Sequence, residues 1–251
     1  MQRSTQLLQA LKSGLKSRVA LKEDKDLLAK IFNERILKDP HYKSAGCTSS
    51  DMKPVINYKV NHALKYNLSL IVEDEKQKPQ GYTVVTVANR NPAYDLNKDL
   101  QRPSVNSKDT SYHYISRLYR FCKMHFWTIL PPMYEKVAII ESVNIKWTDK
   151  MGLGDLLKEA VETVENSDPT IEGIACIATS DDLLEGLREA GFMLMFSVPK
   201  DLYYMADQTN WTPKDDLHRA QMMFRPFNDV VTEKLKSEVT VGKDWEYTPH
   251  Q

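Results

Sequence analysis

The chain of 251 residues has only three cysteines, Cys47, Cys122 and Cys176, and they stand far apart. An odd, scattered set builds neither a disulfide framework nor a Cys-x-x-Cys site, so a reducing compartment is expected. The six histidines show no His-x-x-x-His spacing, which leaves a catalytic zinc without its usual ligand pair, and no metal is expected. No apolar run approaches the roughly 18 residues of a membrane span, so a membrane is not an expected partner. The 34 basic and 34 acidic residues cancel to a net charge of zero. Nothing in that balance suggests a nucleic-acid footprint or a strongly acidic partner. Internal repeats, low-complexity blocks and any Walker string G-x-x-x-x-G-K-[ST] are missing too.

What is present has the composition of an ordinary globular protein, 41% apolar and 27% charged. The length suits one large domain or two small ones. The most informative stretch runs from Val137 to Glu165. A mostly apolar run, Val137–Ile145, gives way to a short polar segment, a Met151-Gly152-Leu153-Gly154 turn and an amphipathic helix. Strand, glycine turn and helix start gather unpaired backbone N–H groups around one point, where the helix dipole adds partial positive charge. Glycine lets the backbone approach a phosphate closely. A phosphorylated cofactor is therefore expected. A dinucleotide fingerprint needs a third glycine where Leu157 stands, so that form of the motif fits poorly.

The sequence downstream continues the pattern. Ile171–Ala178 reads as a buried strand. Thr179 or Ser180 caps the next helix, whose apolar face carries Leu183, Leu184, Leu187 and Ala190. Gly191 closes it, and a strand follows over Met193–Val198.

Upstream, Arg18–Leu21 reads as a strand, Asp24–Leu37 as a helix and 39–57 as a loop or short helical excursion. Asn57–Asn67 reads as a second helix, Leu68–Glu73 and Gly81–Ala88 as strands, and Tyr112–Leu130 as a helix stopped by Pro131-Pro132. Residues 89–110 read as a long surface loop, Leu202–Met205 and Gln221–Phe224 as further strands, and Val230–Lys236 as a short helix in a charged tail.

The segment Asp149-Lys150-Met151-Gly152-Leu153-Gly154 resembles the R/Q-x-x-G-x-G/A loop of the GNAT acetyltransferases, with Asp149 in place of the basic or amide residue. The β–α–β–α–β order resembles the core of that superfamily. Ile31–Ile36, Ser44–Ser50 and the Ala175–Ser180 segment with its later Ala190-Gly191-Phe192 resemble three short islands of the insect-type arylalkylamine N-acetyltransferases. The likeness spans roughly residues 18–205. Arg35 departs from the family's proline, and Leu183 from the second serine of a Ser-x-x-Ser pair.

The resemblance implies an α/β GNAT fold: a central mixed, mostly antiparallel sheet with a splay between two parallel strands, flanked by helices. It implies an acetyl-CoA-dependent enzyme that acetylates a small primary amine by direct attack in a ternary complex. The arylalkylamines are favoured. Polyamine or amino-acid acceptors, or a catalytically degenerate acyl-CoA-binding protein, are the alternatives.

By resemblance, the pantetheine arm pairs with Val143, Asn144 and Ile145, and the pyrophosphate meets Lys150, Met151, Gly152, Leu153, Gly154 and Asp155. Glu34 maps onto the family's proposed general base; its plainer role is a surface glutamate paired with Arg35 or Lys38. Ser180 is a proton relay or cofactor contact as well as a cap, and Tyr203 or Tyr204 protonates the leaving thiolate or simply packs.

Residues 1–17 are expected to form a helical extension, 18–228 the acetyltransferase domain and 229–251 a tail, in a monomer or homodimer. The first 22 residues are basic and free of acids. They read as an extra helix on a cytoplasmic protein or as a mitochondrial address.

Overall fold

The computed structural model describes residues 14–91, 112–146, 151–198 and 219–228. Asp149, Lys150, Tyr203, Tyr204, most of the 89–110 loop, residues 1–13 of the expected extension, the strand expected over Leu202–Met205 and the expected tail helix lie outside the described residues.

Among the described residues seven strands form one sheet: β1 (Lys16–Val19), β2 (Leu70–Glu73), β3 (Pro79–Asn89), β4 (Lys136–Ile145), β5 (Gly173–Ala178), β6 (Met193–Ser197) and β7 (Gln221–Pro226). Their spatial order is β1-β2-β3-β4-β5-β7-β6. Only β4 and β5 run parallel; the other pairs are antiparallel. The first strand starts at Lys16 rather than Arg18, so it opens inside the segment expected to be an extension.

Among the described residues six α-helices cover the two faces: α1 (Lys25–Ile36), α2 (Pro40–Ser44), α3 (Ser49–Ala63), α4 (Tyr112–Ile129), α5 (Leu153–Ser167) and α6 (Asp181–Glu189). On one face, α5 buries Leu156, Leu157, Ala160, Val161 and Val164 against Val85, Val87, Ala138 and Ile140. This stripe at three- and four-residue spacing is what drives the helix onto the sheet. On the other face, α1 and α3 bury Leu28, Phe32, Ile56 and Val60 with Tyr82 and Val84. Beside them α4 presents Leu118, Cys122 and Phe126 to Ile139, Ala175 and Phe224.

The helix over Ser49–Ala63 corrects the sequence reading, which left 39–57 mostly as loop and began a helix at Asn57. Its start is fixed by a capping box. Asp51 N–H donates to Thr48 Oγ1 at 3.4 Å, and Thr48 N–H donates to Asp51 Oδ2 at 3.0 Å. Pro54 removes one backbone donor inside the helix, yet Met52, Val55 and Ile56 around it are buried and hold the turn in place. The helix stops at Ala63, and the chain reverses through Asn67 at φ 53°, a left-handed position that asparagine tolerates.

Gly191, at φ 84°, ends α6 as expected. Phe192 N–H reaches Leu187 C=O and Gly191 N–H reaches Arg188 C=O, both at 2.9 Å, so the last carbonyls of the helix are satisfied. At the end of α4, the Arg90 guanidinium donates to the carbonyls of Trp127, Leu130, Pro131 and Tyr134 at 2.8–2.9 Å. A planar fork of donors suits this cluster of helix-end acceptors, and it fixes the helix that walls the site below.

Candidate active site: a splayed strand pair with a bulged floor

The parallel ladder between β4 and β5 stops at Ile140 and Cys176. Beyond it, β4 stays paired to β3 as far as Ile145, and β5 to β7 as far as Ala178. The two inner edges therefore diverge, leaving a wedge with backbone N–H and C=O groups facing it. Val143, Asn144 and Ile145 lie on the β4 side of that wedge, where sequence resemblance placed the pantetheine-binding stretch.

β4 carries a bulge at the same place. Val84 pairs with Ser142 and Val85 with Ile140, so Glu141 is the extra residue. A bulge breaks strand alternation and turns two consecutive side chains to one face. Here Glu141 and Ser142 both reach the face covered by α1, α2 and α4. They line a cleft there with Phe32, Arg35, Tyr42, Tyr119 and Lys123.

Glu141 is the buried charge of this cleft, its side chain only 6% exposed. Oε1 accepts from Lys123 Nζ at 2.5 Å and from Thr86 Oγ1 at 3.0 Å, and Oε2 pairs with Lys59 Nζ at 2.8 Å. Burial pushes this carboxyl upward, but the two lysines outweigh it and hold it well below the ordinary carboxylate range. It is thus ionised at neutral pH, with three donors on its two oxygens. Ser142 Oγ shares a hydrogen bond of 2.9 Å with the Tyr82 hydroxyl, whose titration is pushed upward chiefly by burial. Asp39 Oδ2 accepts from Thr179 Oγ1 at 2.5 Å, tying the α1–α2 turn to the end of β5. The rings of Tyr42 and Tyr119 lie 5.8 Å apart, with the Lys59 ammonium 5.7 Å from the Tyr119 ring.

Cys176 also lines the cleft. Burial, with some help from Glu141, pushes its thiol up to about 12. At neutral pH it is a protonated core thiol, a poor nucleophile.

The sequence-derived candidates fall in different places. Glu34 is exposed on α1 and does not line the cleft; its neighbour Arg35 does. Both act electrostatically on the Tyr82 phenol, Arg35 more strongly. Ser180 caps α6, accepting from Leu183 N–H at 3.4 Å, while Thr179 before it is the residue that faces the cleft. Sequence reasoning missed Lys59, Thr86, Lys123, Glu141 and Ser142. One signal was there: Glu141 is the lone charge between Val137 and Ile145.

Met151, Gly152, Leu153, Gly154 and Asp155 form the start of α5, beside the divergent ends of β4 and β5. Two details set this helix start apart. Gly152 N–H donates to Asp155 Oδ2 at 3.1 Å, so the helix caps one of its own amides with a carboxylate. At Gly154, a Cβ would collide with Glu189, whose own Cβ would lie 3.2 Å away. This glycine therefore has a packing reason, the close crossing of α5 and α6, besides any role towards phosphate. Removing the cap carboxylate gives a prediction. Asp155→Ala frees the Gly152 amide and takes a negative charge from the site, and acetyl-CoA affinity should rise about two- to fivefold. Isothermal titration of the two proteins checks this; equal or weaker binding by the variant counts against an anion site at this helix start.

Among the described residues no group of three His, Cys, Asp or Glu side chains could hold a metal, and no helix is long and apolar enough to cross a membrane.

No family model matches the sequence, and no curated protein matches it. Solved structures do match the fold. An arylalkylamine N-acetyltransferase of Aedes aegypti superposes with TM-score 0.63 at 14% identity, over 86% of this chain and 100% of that one. The polyamine N-acetyltransferase of Drosophila melanogaster, which forms N-acetylagmatine, superposes with TM-score 0.68 at 9% identity, over 84% and 99%. The C-terminal condensation domain of Ebony, solved with β-alanyl-dopamine, gives TM-score 0.63 at 12% identity, over 84% and 98%. The chain has the GNAT fold: the mixed sheet, the single parallel pair and its splay are those expected from the resemblance.

Proposed function

We propose that the protein is an acetyl-CoA-dependent N-acetyltransferase acting on a small primary amine. The observation that carries this is the β4–β5 wedge, which opens on one side to the α5 helix start and on the other to the bulged cleft. In this reading acetyl-CoA lies in the wedge, its pantetheine arm hydrogen-bonded along Val143–Ile145 and its pyrophosphate at Met151–Asp155 with Lys150. A backbone N–H of β4 polarises the thioester carbonyl. The amine attacks directly; among the described residues lining the cleft, the Cys176 thiol is protonated and a poor nucleophile. Glu34, near enough to Tyr82 to act on its phenol, accepts the amine proton through water. Ser180 assists that relay, and Tyr203 protonates the leaving CoA thiolate.

An arylalkylamine suits the aromatic wall of Phe32, Tyr42 and Tyr119, and the arylalkylamine and polyamine specificities of two fold neighbours point to the same broad class. The reaction would be carried by residues 18–228 of a cytoplasmic monomer or homodimer, with a mitochondrial address as the alternative.

The test is release of free CoA from acetyl-CoA over a panel of aromatic amines, polyamines and amino acids. Glu34→Gln should lower turnover about 100-fold with the best acceptor, most clearly at lower pH, while CoA affinity is kept. Turnover unchanged by the substitution would remove Glu34 from the mechanism. A second reading, an acyl-CoA-binding protein without catalysis, is favoured by the Asp155 cap and by Asp149 in the loop. It predicts CoA binding with no acceptor turned over.

A further inference from the structure

The charged groups of the cleft are unevenly committed. Both carboxylates already accept from protein donors. Glu141 spends its oxygens on Thr86, Lys123 and Lys59, and Asp39 accepts from His41 N–H at 2.9 Å and from Thr179. The cations are not filled. The Lys123 ammonium has three N–H donors and gives one to Glu141; its side chain is 36% exposed. The Arg35 guanidinium has five donors and, among the described residues, neither an ion pair nor a hydrogen bond. Two cations, Arg35 and Lys123, and two anions, Asp39 and Glu141, line this cleft. What the cleft offers a ligand is therefore the uncommitted donors of Arg35 and Lys123 beside an aromatic wall. A carboxylate matches the planar Arg35 fork and the Lys123 ammonium.

We infer that the acceptor amine carries a carboxylate, as an aromatic amino acid does, and that Arg35 with Lys123 is its specificity site. The inference rests on the acetyl-transfer reading above. The carboxylate pairs with Arg35 and Lys123, and the aromatic group packs on Tyr42 and Tyr119. The amino group is left to face the thioester at the β4 edge. Glu34, next to Arg35, is exposed and outside the cleft lining.

The test compares kcat/KM for three pairs that differ only in the carboxylate: tyrosine and tyramine, tryptophan and tryptamine, lysine and cadaverine. The carboxylated member of the aromatic pairs should be favoured at least tenfold. Arg35→Gln should lower the tyrosine-to-tyramine ratio at least fivefold, and Arg35→Lys should restore part of it. Lys123→Gln gives an independent second reading of the same ratio. Equal use of both members, preference for tyramine, or a ratio that Arg35→Gln leaves in place overturns the inference while the acetyltransferase reading stands. If acetyl-CoA neither shifts thermal unfolding nor is turned over with any acceptor, the acetyltransferase reading fails and this inference fails with it.

Discussion

Glu141→Ala should lower the unfolding midpoint by about 6–12 °C, from a stability loss of about 3 kcal/mol in a domain of this size. The large effect comes from what remains after the substitution. Lys59, only 15% exposed, and Lys123 would face each other with no anion between them. Removing one partner of a buried ion network leaves uncompensated charge, which costs far more than the network itself contributes. The triple change of Glu141, Lys59 and Lys123 to Met should therefore recover most of the loss. Equal instability of the triple variant would mean that packing, not charge, explains the single one.

The same carboxylate gives the protein a pH signature. Its folded pKa lies below the unfolded carboxylate value, so its contribution is fully present above that value. The contribution is lost as pH falls below about 4 and through the folded pKa. Midpoints measured from pH 7 downward should fall steeply there for the native protein and less for Glu141→Ala. Parallel curves would contradict the assignment.

Gly173→Ala should be nearly as damaging, at about 3 kcal/mol, the upper part of the range for overpacking a core. The added Cβ would sit 2.5 Å from Phe224 Cζ and 2.8 Å from the Arg225 carbonyl oxygen. The ring has no room to swing away, because Phe224 is fully buried and packs against Phe126 and Tyr134 with centroids 5.3 and 5.5 Å apart. The carbonyl belongs to the strand paired with β5, so moving it disturbs the Ile174–Arg225 register. β5 is one edge of the wedge, so the substitution should also weaken acetyl-CoA binding. Chemical denaturation with and without the cofactor measures both effects. A stable variant with native affinity would show that the wedge tolerates a shift of β5.

The fold was legible where one period dominated. Leu156, Leu157, Ala160, Val161 and Val164 announce a helix, and the mostly apolar run of β4 and the apolar run of β5 announce buried strands. The start of α3 was harder, since Pro54 and the serines around it suggest a loop, although Thr48 and Asp51 already had the spacing of a capping box.

The site was less legible, because its parts come together only in three dimensions. Lys59 and Lys123 lie on separate helices and meet Glu141 only because the bulge turns it towards them. On α1, the family resemblance put Glu34 at the site. The buried stripe instead runs Leu28, Phe32, Ile36, and Arg35, three residues past Phe32, stands beside it. One residue on a helix is a turn of about 100°, enough to exchange an acid for a base at the cleft wall.

The central claim is that the β4–β5 wedge and the α5 helix start bind acetyl-CoA, and thermal unfolding with and without that cofactor tests it most directly. At about 100 times its dissociation constant, a ligand of the folded state adds about 2.7 kcal/mol, or roughly 5–11 °C in midpoint for a domain of this size. A shift of that order is the result expected here. An unchanged midpoint at millimolar acetyl-CoA would contradict it, and would leave the glycine turn as a device for packing α5 against α6.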